Sequence, residues 1–389
     1  MTAANGFSAA HNRRHLMGKH LFVLIVSLVF CCGKAFPQIT MLRQQNMSQW
    51  NVPAANYSGI TPIGGNRYAV VSDKQDADGF YEFLITQNET TGQVEKVEVA
   101  AFHGNGGKQR DAEGIAYFPD RQTVFISAED DQRIKEYNLD GTLTGKELAV
   151  PDYLSLDKIN SNYGFEALTY SDETALFWTC TENTLKADGE ASSDKNRVSA
   201  KLRMQSFDRN MQPQQQFLYE TDVPQAQGEV KQIAFGVPEL LALPDSTLLV
   251  LEREFLVAQG YLGSYVTNKI YKVNPASQGK TLQAQWTTNL GLFSQTIANY
   301  EGMCLGAKLK DGRQTILLIS DSQGGYGNSL FHLKDYIRVG VINDAFIEEK
   351  TESAPVENND STIGKSAEEE LLNLIFKDGK IILEKMMEQ

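Results

Sequence analysis

The chain has 389 residues and a formal net charge of −13 at pH 7, because 49 acidic side chains outnumber 36 basic ones. Its length suffices for one large domain or two smaller ones, and its hydrophobic content of 41% is that of a globular protein. The acidity argues against nucleic acids and anionic membrane surfaces as partners, which are bound mainly by basic protein surfaces, and it suits cation binding.

Residues 1–35 have the features of a secretory signal peptide. Basic residues up to Lys19 precede the apolar run LFVLIVSLVFCC, and small residues lead to a cleavage site after Ala35. The run is too short to span a bilayer, which requires about 20 residues. We therefore expect a periplasmic or extracellular protein without a transmembrane span. A lipoprotein anchored through Cys31 or Cys32 is the alternative.

The central part of the chain repeats a pattern of strands. An apolar strand opens each unit, and it recurs as YSGITPI (57–63), AEGIAYF (112–118), GFEALTY (164–170), VPELLALP (237–244) and YEGMCLG (300–306). A second apolar strand, a third and a weaker fourth follow in most units, joined by turn residues such as Gly-Gly and Asp-Gly. Four antiparallel strands repeated about every 60 residues predict an all-β protein, a β-propeller.

We expect five blades over residues 36–345. The fifth unit lacks a clear fourth strand, and the strand at 39–45 is predicted to complete it and close the ring. A six-bladed ring with one unrecognised blade is the alternative. Residues 346–366 are polar and indicate a linker. Residues 367–389 are amphipathic and predict a short helical or mixed C-terminal segment that contacts a partner.

Carboxylates recur at matching places in the units. Near the starts of the first strands are Glu113, Glu166, Glu239 and Glu301. At the ends of the second strands are Asp73, Glu129, Glu182, Glu252 and Asp321. In an antiparallel pair the start of one strand lies beside the end of the next, so both sets are predicted to share one rim of the central channel.

Crowded carboxylates repel one another unless a cation or a basic side chain neutralises them. Ca²⁺ accepts six to eight oxygen ligands, so the rim predicts a calcium site. Zinc fits poorly, because the histidines after residue 35 are His103 and His332 and no Cys/His spacing of a metal site is present. Alternatively, single carboxylates accept hydrogen bonds from turn amides.

Basic residues adjoin several of these carboxylates, namely Lys74, Arg110, Arg133 and Arg253. Beside a bound cation they would hold an oxyanion such as phosphate, while a plain ion pair with the neighbouring carboxylate is the alternative for each. The sequence contains no GxSxG elbow, no P-loop and no histidine phosphatase motif. Hydrolysis would therefore depend on water activated by a metal ion.

Three motifs occur in one order along the chain: N-x-GFEAL, L-x-LER-x-F and EGM. With them, the region from about Tyr57 to His332 resembles the phytase-like propeller family, known as "esterase-like activity of phytase". The resemblance implies a secreted or periplasmic propeller that acts on phosphate esters. The site residues that it implies are Asp111, Glu113, Glu129, Glu166, Glu182, Glu239, Glu252, Arg253, Glu301 and Asp321. Ser322-Gln323 departs from the Asp-Asn pair expected after Asp321.

The leading hypothesis is a hydrolase that uses calcium-activated water on a small-molecule phosphate ester. Glu166 would orient the water and Arg253 would offset charge on the phosphate. One alternative is a lactonase-like propeller, in which one Ca²⁺ polarises a carbonyl and Asn162 and Asn328 are candidate ligands. The other is a propeller without catalysis that binds a ligand or partner protein, in which the carboxylates are structural.

Overall fold

The structure of the protein, a computed structural model, describes residues 38–160, 163–226, 230–325 and 332–343. These residues form β-strands and two short 3-10 helices, Met47–Trp50 and Asp152–Leu154. The predicted all-β class is confirmed. Within the described ranges, no helix has the length and apolarity needed to cross a bilayer. Lying outside these ranges are the predicted signal peptide (1–35), linker (346–366) and amphipathic segment (367–389).

The described strands form five antiparallel sheets, the blades of a propeller. The innermost strands are β3 (Tyr57–Gly64), β7 (Ala112–Phe118), β11 (Phe165–Ser171), β15 (Gln232–Ala242) and β19 (Asn299–Lys308). The second strands are β4 (Arg67–Ser72), β8 (Thr123–Ala128), β12 (Leu176–Thr181), β16 (Leu248–Val257) and β20 (Gln314–Asp321). The third are β5 (Ala77–Gln87), β9 (Arg133–Asn138), β13 (Lys201–Phe207), β17 (Tyr265–Val273) and β21 (Tyr336–Ile342). The outer strands of the first four blades are β6 (Val94–Lys108), β10 (Leu143–Glu147), β14 (Pro213–Glu220) and β18 (Lys280–Asn289).

The N-terminal strand closes the ring. In the fifth blade the outer position is taken by β1 (Ile39–Met41) and β2 (Gln45–Asn46), both paired antiparallel with β21. The inner strands contact one another in order around the ring, and β19 contacts β3. The five-bladed prediction is therefore confirmed and the six-bladed alternative is wrong. Pairing β1 and β2 with β21 satisfies an edge that would otherwise stay open.

The core lies between the faces of neighbouring blades. All six residues of β8 and all ten of β16 are buried, because a second strand has a packed blade on each side. Such strands are apolar on both faces, and this is why they appear in the sequence as continuous apolar runs. Between the second and third blades, for example, the rings of Phe125 and Phe177 meet edge to face with centroids 4.7 Å apart.

Each inner strand is irregular where it passes the channel mouth. The register of β7 against β8 shifts between Ala112 and Ile115, and the other inner strands shift at matching places. Such bulges re-aim side chains. The inner strands also approach closely: a Cβ on Gly114 would lie 2.6 Å from the carbonyl oxygen of Glu166, so only glycine fits there. The bulges and this close approach turn the adjacent carboxylates toward the mouth.

Candidate functional site

A cavity of about 470 Å³ opens at the channel mouth. Eight carboxylates of the described chain line it, from all blades but the fourth: Asp73, Asp111, Glu113, Glu129, Glu166, Glu182, Glu301 and Asp321. The described basic side chains at its wall are Lys74 and Arg253. Eight potential negative charges thus face two positive ones, which makes the cavity strongly attractive to cations.

The carboxylates form two overlapping groups of three. Oxygen atoms of Asp73, Asp111 and Glu113 lie within 4.8 Å of one another, and so do oxygen atoms of Glu113, Glu129 and Glu166. Glu113 belongs to both groups. Each group offers three hard oxygen ligands at one place, which is the donor chemistry that Ca²⁺ prefers.

Some of these carboxylates are held by protein donors. Ser58 donates a hydrogen bond to Glu113 over 2.6 Å, and the backbone amide of Gly164 donates one to Glu129 over 2.5 Å. Within the described ranges, no donor forms a hydrogen bond to the Glu166 carboxylate, and its charged neighbours are four other carboxylates and, without a hydrogen bond, Arg253. Glu166 is therefore the carboxylate of the site best placed to interact with a ligand in the cavity.

Burial and mutual repulsion make these carboxylates hard to ionise together. Burial above all, and then neighbouring carboxylates, raise the pKa of Glu113 and Glu166 well above the ordinary value. The pKa of Asp321 is raised well above its ordinary value for the same reasons. Burial raises the pKa of Glu182 to about 7, although Arg253 opposes the shift. A bound cation would restore the charged forms.

Arg253 is a buried cation between two carboxylates. It pairs with Glu182 and with Glu301, and its Nη1 donates a hydrogen bond of 3.0 Å to the Asn299 side-chain oxygen. Its Nε is buried without a partner among the described residues. Arg253 thus joins the third, fourth and fifth blades across the cavity wall.

Lys74 stands at the entrance. Its ammonium pairs with Asp73 at 2.9 Å and with Asp111 at 2.7 Å, while 58% of its side chain is exposed. Although burial opposes the shift, these two hydrogen bonds raise the pKa of Lys74, so it stays charged. Asp111 has a left-handed backbone with φ of 59°, a strained conformation of the kind that clusters at functional sites.

Glu239 does not lie at the rim, contrary to the sequence prediction. The register pairs Gly236 with Arg253 and Glu239 with Leu251, so the glutamate lies deeper along its strand. It is 1% exposed and accepts backbone hydrogen bonds from Leu168 of the third blade and from Leu240. The Met303 amide of the fifth blade also bonds to it. Glu239 is a structural acceptor that joins three inner strands.

We predict that Glu239→Gln lowers the free energy of unfolding by about 1–3 kcal/mol, because its amide nitrogen brings two N–H donors to a buried position where the described partners are themselves backbone N–H donors. Chemical denaturation in the absence of metal measures this. The shift in melting temperature on adding calcium should match that of the unmodified protein. A smaller rise in melting temperature on adding calcium, with an unchanged free energy of unfolding, would mean that Glu239 is a ligand of the metal after all.

Glu252 also lies away from the cavity. Successive residues of a strand point to opposite faces, so Glu252 and Arg253 cannot both face the mouth. Glu252 is 2% exposed and accepts hydrogen bonds from the Tyr219 hydroxyl at 2.6 Å and from Lys280 at 3.0 Å. It belongs to a polar network between the third and fourth blades.

Arg110 and Arg133 likewise do not contribute to the cavity. Arg110 is 8% exposed and makes a two-pronged hydrogen bond with Asp131, while its Nη1 donates to the Tyr137 hydroxyl at 2.8 Å. Arg133 pairs with Glu147 at the surface. Both arginines form ion pairs, but with Asp131 and Glu147 and not with the neighbouring rim carboxylates that the sequence suggested.

Sequence reasoning missed several residues of the cavity. Asn299 could have been found, because it precedes Glu301 by two positions and so shares its face of the strand. Tyr163 comes from the turn before β11 and carries no such signal. The apolar residues Ala234, Phe255 and Val257 also line the cavity, because the fourth blade extends beyond its predicted limits.

Solved structures whose chain fold is similar have low sequence identity and low TM-scores. An endo-arabinase from Bacteroides thetaiotaomicron is 10% identical, with 77% of this chain and 97% of that chain covered and a TM-score of 0.42. A β-xylosidase/α-arabinofuranosidase from a compost microbial metagenome is 13% identical, with coverages of 78% and 94% and a TM-score of 0.43. For hydrazine synthase of Kuenenia stuttgartiensis the identity is 12%, the coverages 69% and 57%, and the TM-score 0.32, so the match spans little more than half of that chain. At these values the likenesses carry no functional argument.

The sequence itself identifies a family. No curated protein matches it. Residues 52–323, however, match the family described as "Phytase-like: Esterase-like activity of phytase". The matched region begins before β3 and ends at Gln323, so it includes every described residue that lines the cavity. Since the match covers well over half of the chain, this protein belongs to the phytase-like family.

Proposed function

We propose that this protein is a hydrolase of phosphate esters that uses calcium-activated water at the propeller mouth. The observation that carries the proposal is the cavity itself, in which two groups of three carboxylates share Glu113. Membership of the phytase-like family supports an enzymatic role. The signal-peptide features of residues 1–35 support action in the periplasm or outside the cell.

The donor set fits calcium. Each described residue that could ligate a metal in the cavity offers oxygen, and no described histidine or cysteine lines it. The Oδ1 atom of Asp73 is buried and has no hydrogen-bond partner among the described residues, as expected for a ligand atom. The ion would be held by Asp73, Asp111 and Glu113, with Glu129 and Glu166 on the other side of Glu113. When bound, it would neutralise phosphate charge and lower the pKa of a water molecule.

The remaining side chains have separate roles in the proposal. Lys74 is exposed at the entrance and would contact an incoming phosphate first, because its ammonium has a third donor beyond Asp73 and Asp111. Glu166 would orient the attacking water, since no described donor occupies its carboxylate. Arg253 would hold Glu182 and Glu301 in place and offset negative charge deeper in the cavity.

The lactonase alternative gains no support from the described chain, because its candidate ligands Asn162 and Asn328 lie outside the described residues. A propeller that binds calcium without catalysis is separated from the enzyme by assay. Turnover of a phosphate ester favours the hydrolase, and calcium binding without turnover favours the propeller that has no catalytic activity.

Calcium is expected to raise the melting temperature of metal-free protein by about 5 °C when present at about 100 times its dissociation constant, since a ligand that binds only the folded state stabilises it. The same preparation should release phosphate or nitrophenol from p-nitrophenyl phosphate, bis-p-nitrophenyl phosphate or phytate, and EDTA should abolish the release. Absence of calcium-dependent release from all three substrates would contradict the proposed function.

A further inference from the structure

The inner hairpin of the fourth blade projects beyond the others at the cavity mouth. In the second and third blades the second strand ends at Ala128 and Thr181, directly before the rim carboxylates. In the fourth blade β16 continues for four residues after Arg253 and ends at Val257. Four strand residues add about 13 Å, so this hairpin forms a raised wall on one side of the cavity.

The inward face of this wall is apolar. The register pairs Arg253 with Gly236, then Phe255 with Ala234, then Val257 with Gln232. Because alternate residues of a strand share a face, these pairs lie on one side of the hairpin, from Arg253 beside the carboxylates to Gln232 at the outer edge of the cavity. All of these residues except Gly236 line the cavity. The cavity is thus divided: carboxylates come from the other four blades, and an apolar surface comes from the fourth.

Side chains of the wall pack in an apolar cluster, and apolar surface continues outside it. Phe255 and Val257 pack against Val266 and Leu290 in one apolar cluster. The connection after β18 leaves the fourth blade at the same end as Val257, and it exposes Phe293 fully. Phe293 does not line the cavity, but it adds exposed apolar surface at the same end of the blade.

We infer that the fourth blade forms a subsite for an apolar organic group, so that the preferred substrate is a phosphate ester of an aromatic or other apolar alcohol. The inference rests on the proposed function, since the carboxylate side must hold the phosphate through calcium. The ester's organic group would then lie against Ala234, Phe255 and Val257. Phytate has phosphate groups all around its ring and would leave this wall without a partner, so it is the poorer substrate.

Two phosphonates test the subsite without requiring turnover. Benzylphosphonate and methylphosphonate present the same anionic group and differ in the aromatic ring, and calorimetry with calcium present measures the binding of each. We expect benzylphosphonate to bind roughly tenfold more tightly, the discrimination that an apolar pocket provides for a small group. In parallel, kcat/KM for p-nitrophenyl phosphate should exceed that for glycerol phosphate and for phytate.

A double variant with preserved shape locates the effect. Ala234→Ser with Val257→Thr places two hydroxyls in the wall and should reduce the tenfold preference to about threefold or less, while methylphosphonate affinity stays unchanged. The control Leu282→Ser changes a half-exposed apolar residue on the outer strand of the same blade and should leave the preference intact.

The outcomes separate the two proposals. Equal binding of the two phosphonates by the unmodified protein overturns the subsite and leaves the phosphate site standing. A preference that survives in the double variant, with folding verified by the melting temperature, also overturns it. Binding of neither phosphonate in calcium overturns the proposed function and, with it, the subsite.

Discussion

Substitution of Glu166 by glutamine is expected to lower calcium-dependent hydrolysis of p-nitrophenyl phosphate by roughly 100-fold, the usual contribution of a carboxylate that positions or deprotonates an attacking water. Glutamine keeps the size of the side chain but removes the charge that would orient the water. Glu166 belongs to one of the two carboxylate groups, so the calcium-induced rise in melting temperature should also become smaller.

The matched control for this experiment is Glu98→Gln. Glu98 pairs with Lys96 on the outer strand of the first blade, with half of its side chain exposed, and it loses the same charge far from the cavity. Its hydrolysis rate and calcium shift should equal those of the unmodified protein. Equal losses in Glu166→Gln and Glu98→Gln would mean that net charge, and not the cavity, controls activity.

Replacing Arg253 by methionine should lower the free energy of unfolding by about 3–5 kcal/mol in calcium-free buffer at neutral pH. The guanidinium is buried between Glu182 and Glu301, and its removal leaves two carboxylates buried near each other without a cation. Urea denaturation of both proteins measures the difference.

The pH dependence of this loss follows from the pKa of Glu182. With Arg253 present, burial already raises it from 4.5 to about 7, and removal of Arg253 should raise it further. An acid whose folded-state pKa lies above its unfolded value costs stability when ionised, and this cost disappears as the pH falls toward the unfolded value. The Arg253→Met deficit should therefore be smaller at pH 5 than at pH 8.

Lys74→Met provides the comparison for Arg253. Lys74 also pairs with two carboxylates, but its side chain is 58% exposed, so its loss should cost less than about 1 kcal/mol. If both variants lose the same stability, Arg253 does not act as a buried counter-charge. If the stability lost in Arg253→Met becomes larger as the pH falls, then the pKa of Glu182 is not raised in the folded protein.

The propeller could be predicted because each blade repeats the same local signals. Continuous apolar runs mark second strands that are buried on both faces, and turn residues separate them at regular intervals. The closing strand could be predicted as well, since the fifth unit lacked one strand and residues 39–45 had no other partner. Strand content is a property of local pattern, which the sequence carries directly, while the contacts that close the ring settled five blades against six.

The side-chain directions could be predicted only in part. Glu239 is near the predicted start of its first strand, as Glu113 is, yet β15 starts at Gln232, before its predicted limit. Glu113 lies within the bulge of β7, whereas Glu239 lies after the bulge of β15 and therefore below the rim. Glu252 and Arg253 are neighbours in sequence, and only the pleat decides which of them faces the cavity. A change of one residue in the pairing register turns a side chain to the other face of the sheet, and a change of two moves it along the strand. The pattern of apolar residues does not fix the register this finely.

By itself, the sequence determined that this protein is an acidic β-propeller, with five blades favoured over six, and that carboxylates gather at one mouth, because strand alternation and antiparallel pairing place equivalent residues together. The tertiary structure decided which carboxylates meet, that Arg253 is locked between Glu182 and Glu301, and that an apolar wall faces the acidic floor. Those contacts join residues from different blades. Their distances depend on the bulges within each blade and on the close approach of inner strands at glycines, which arises only when neighbouring blades pack together.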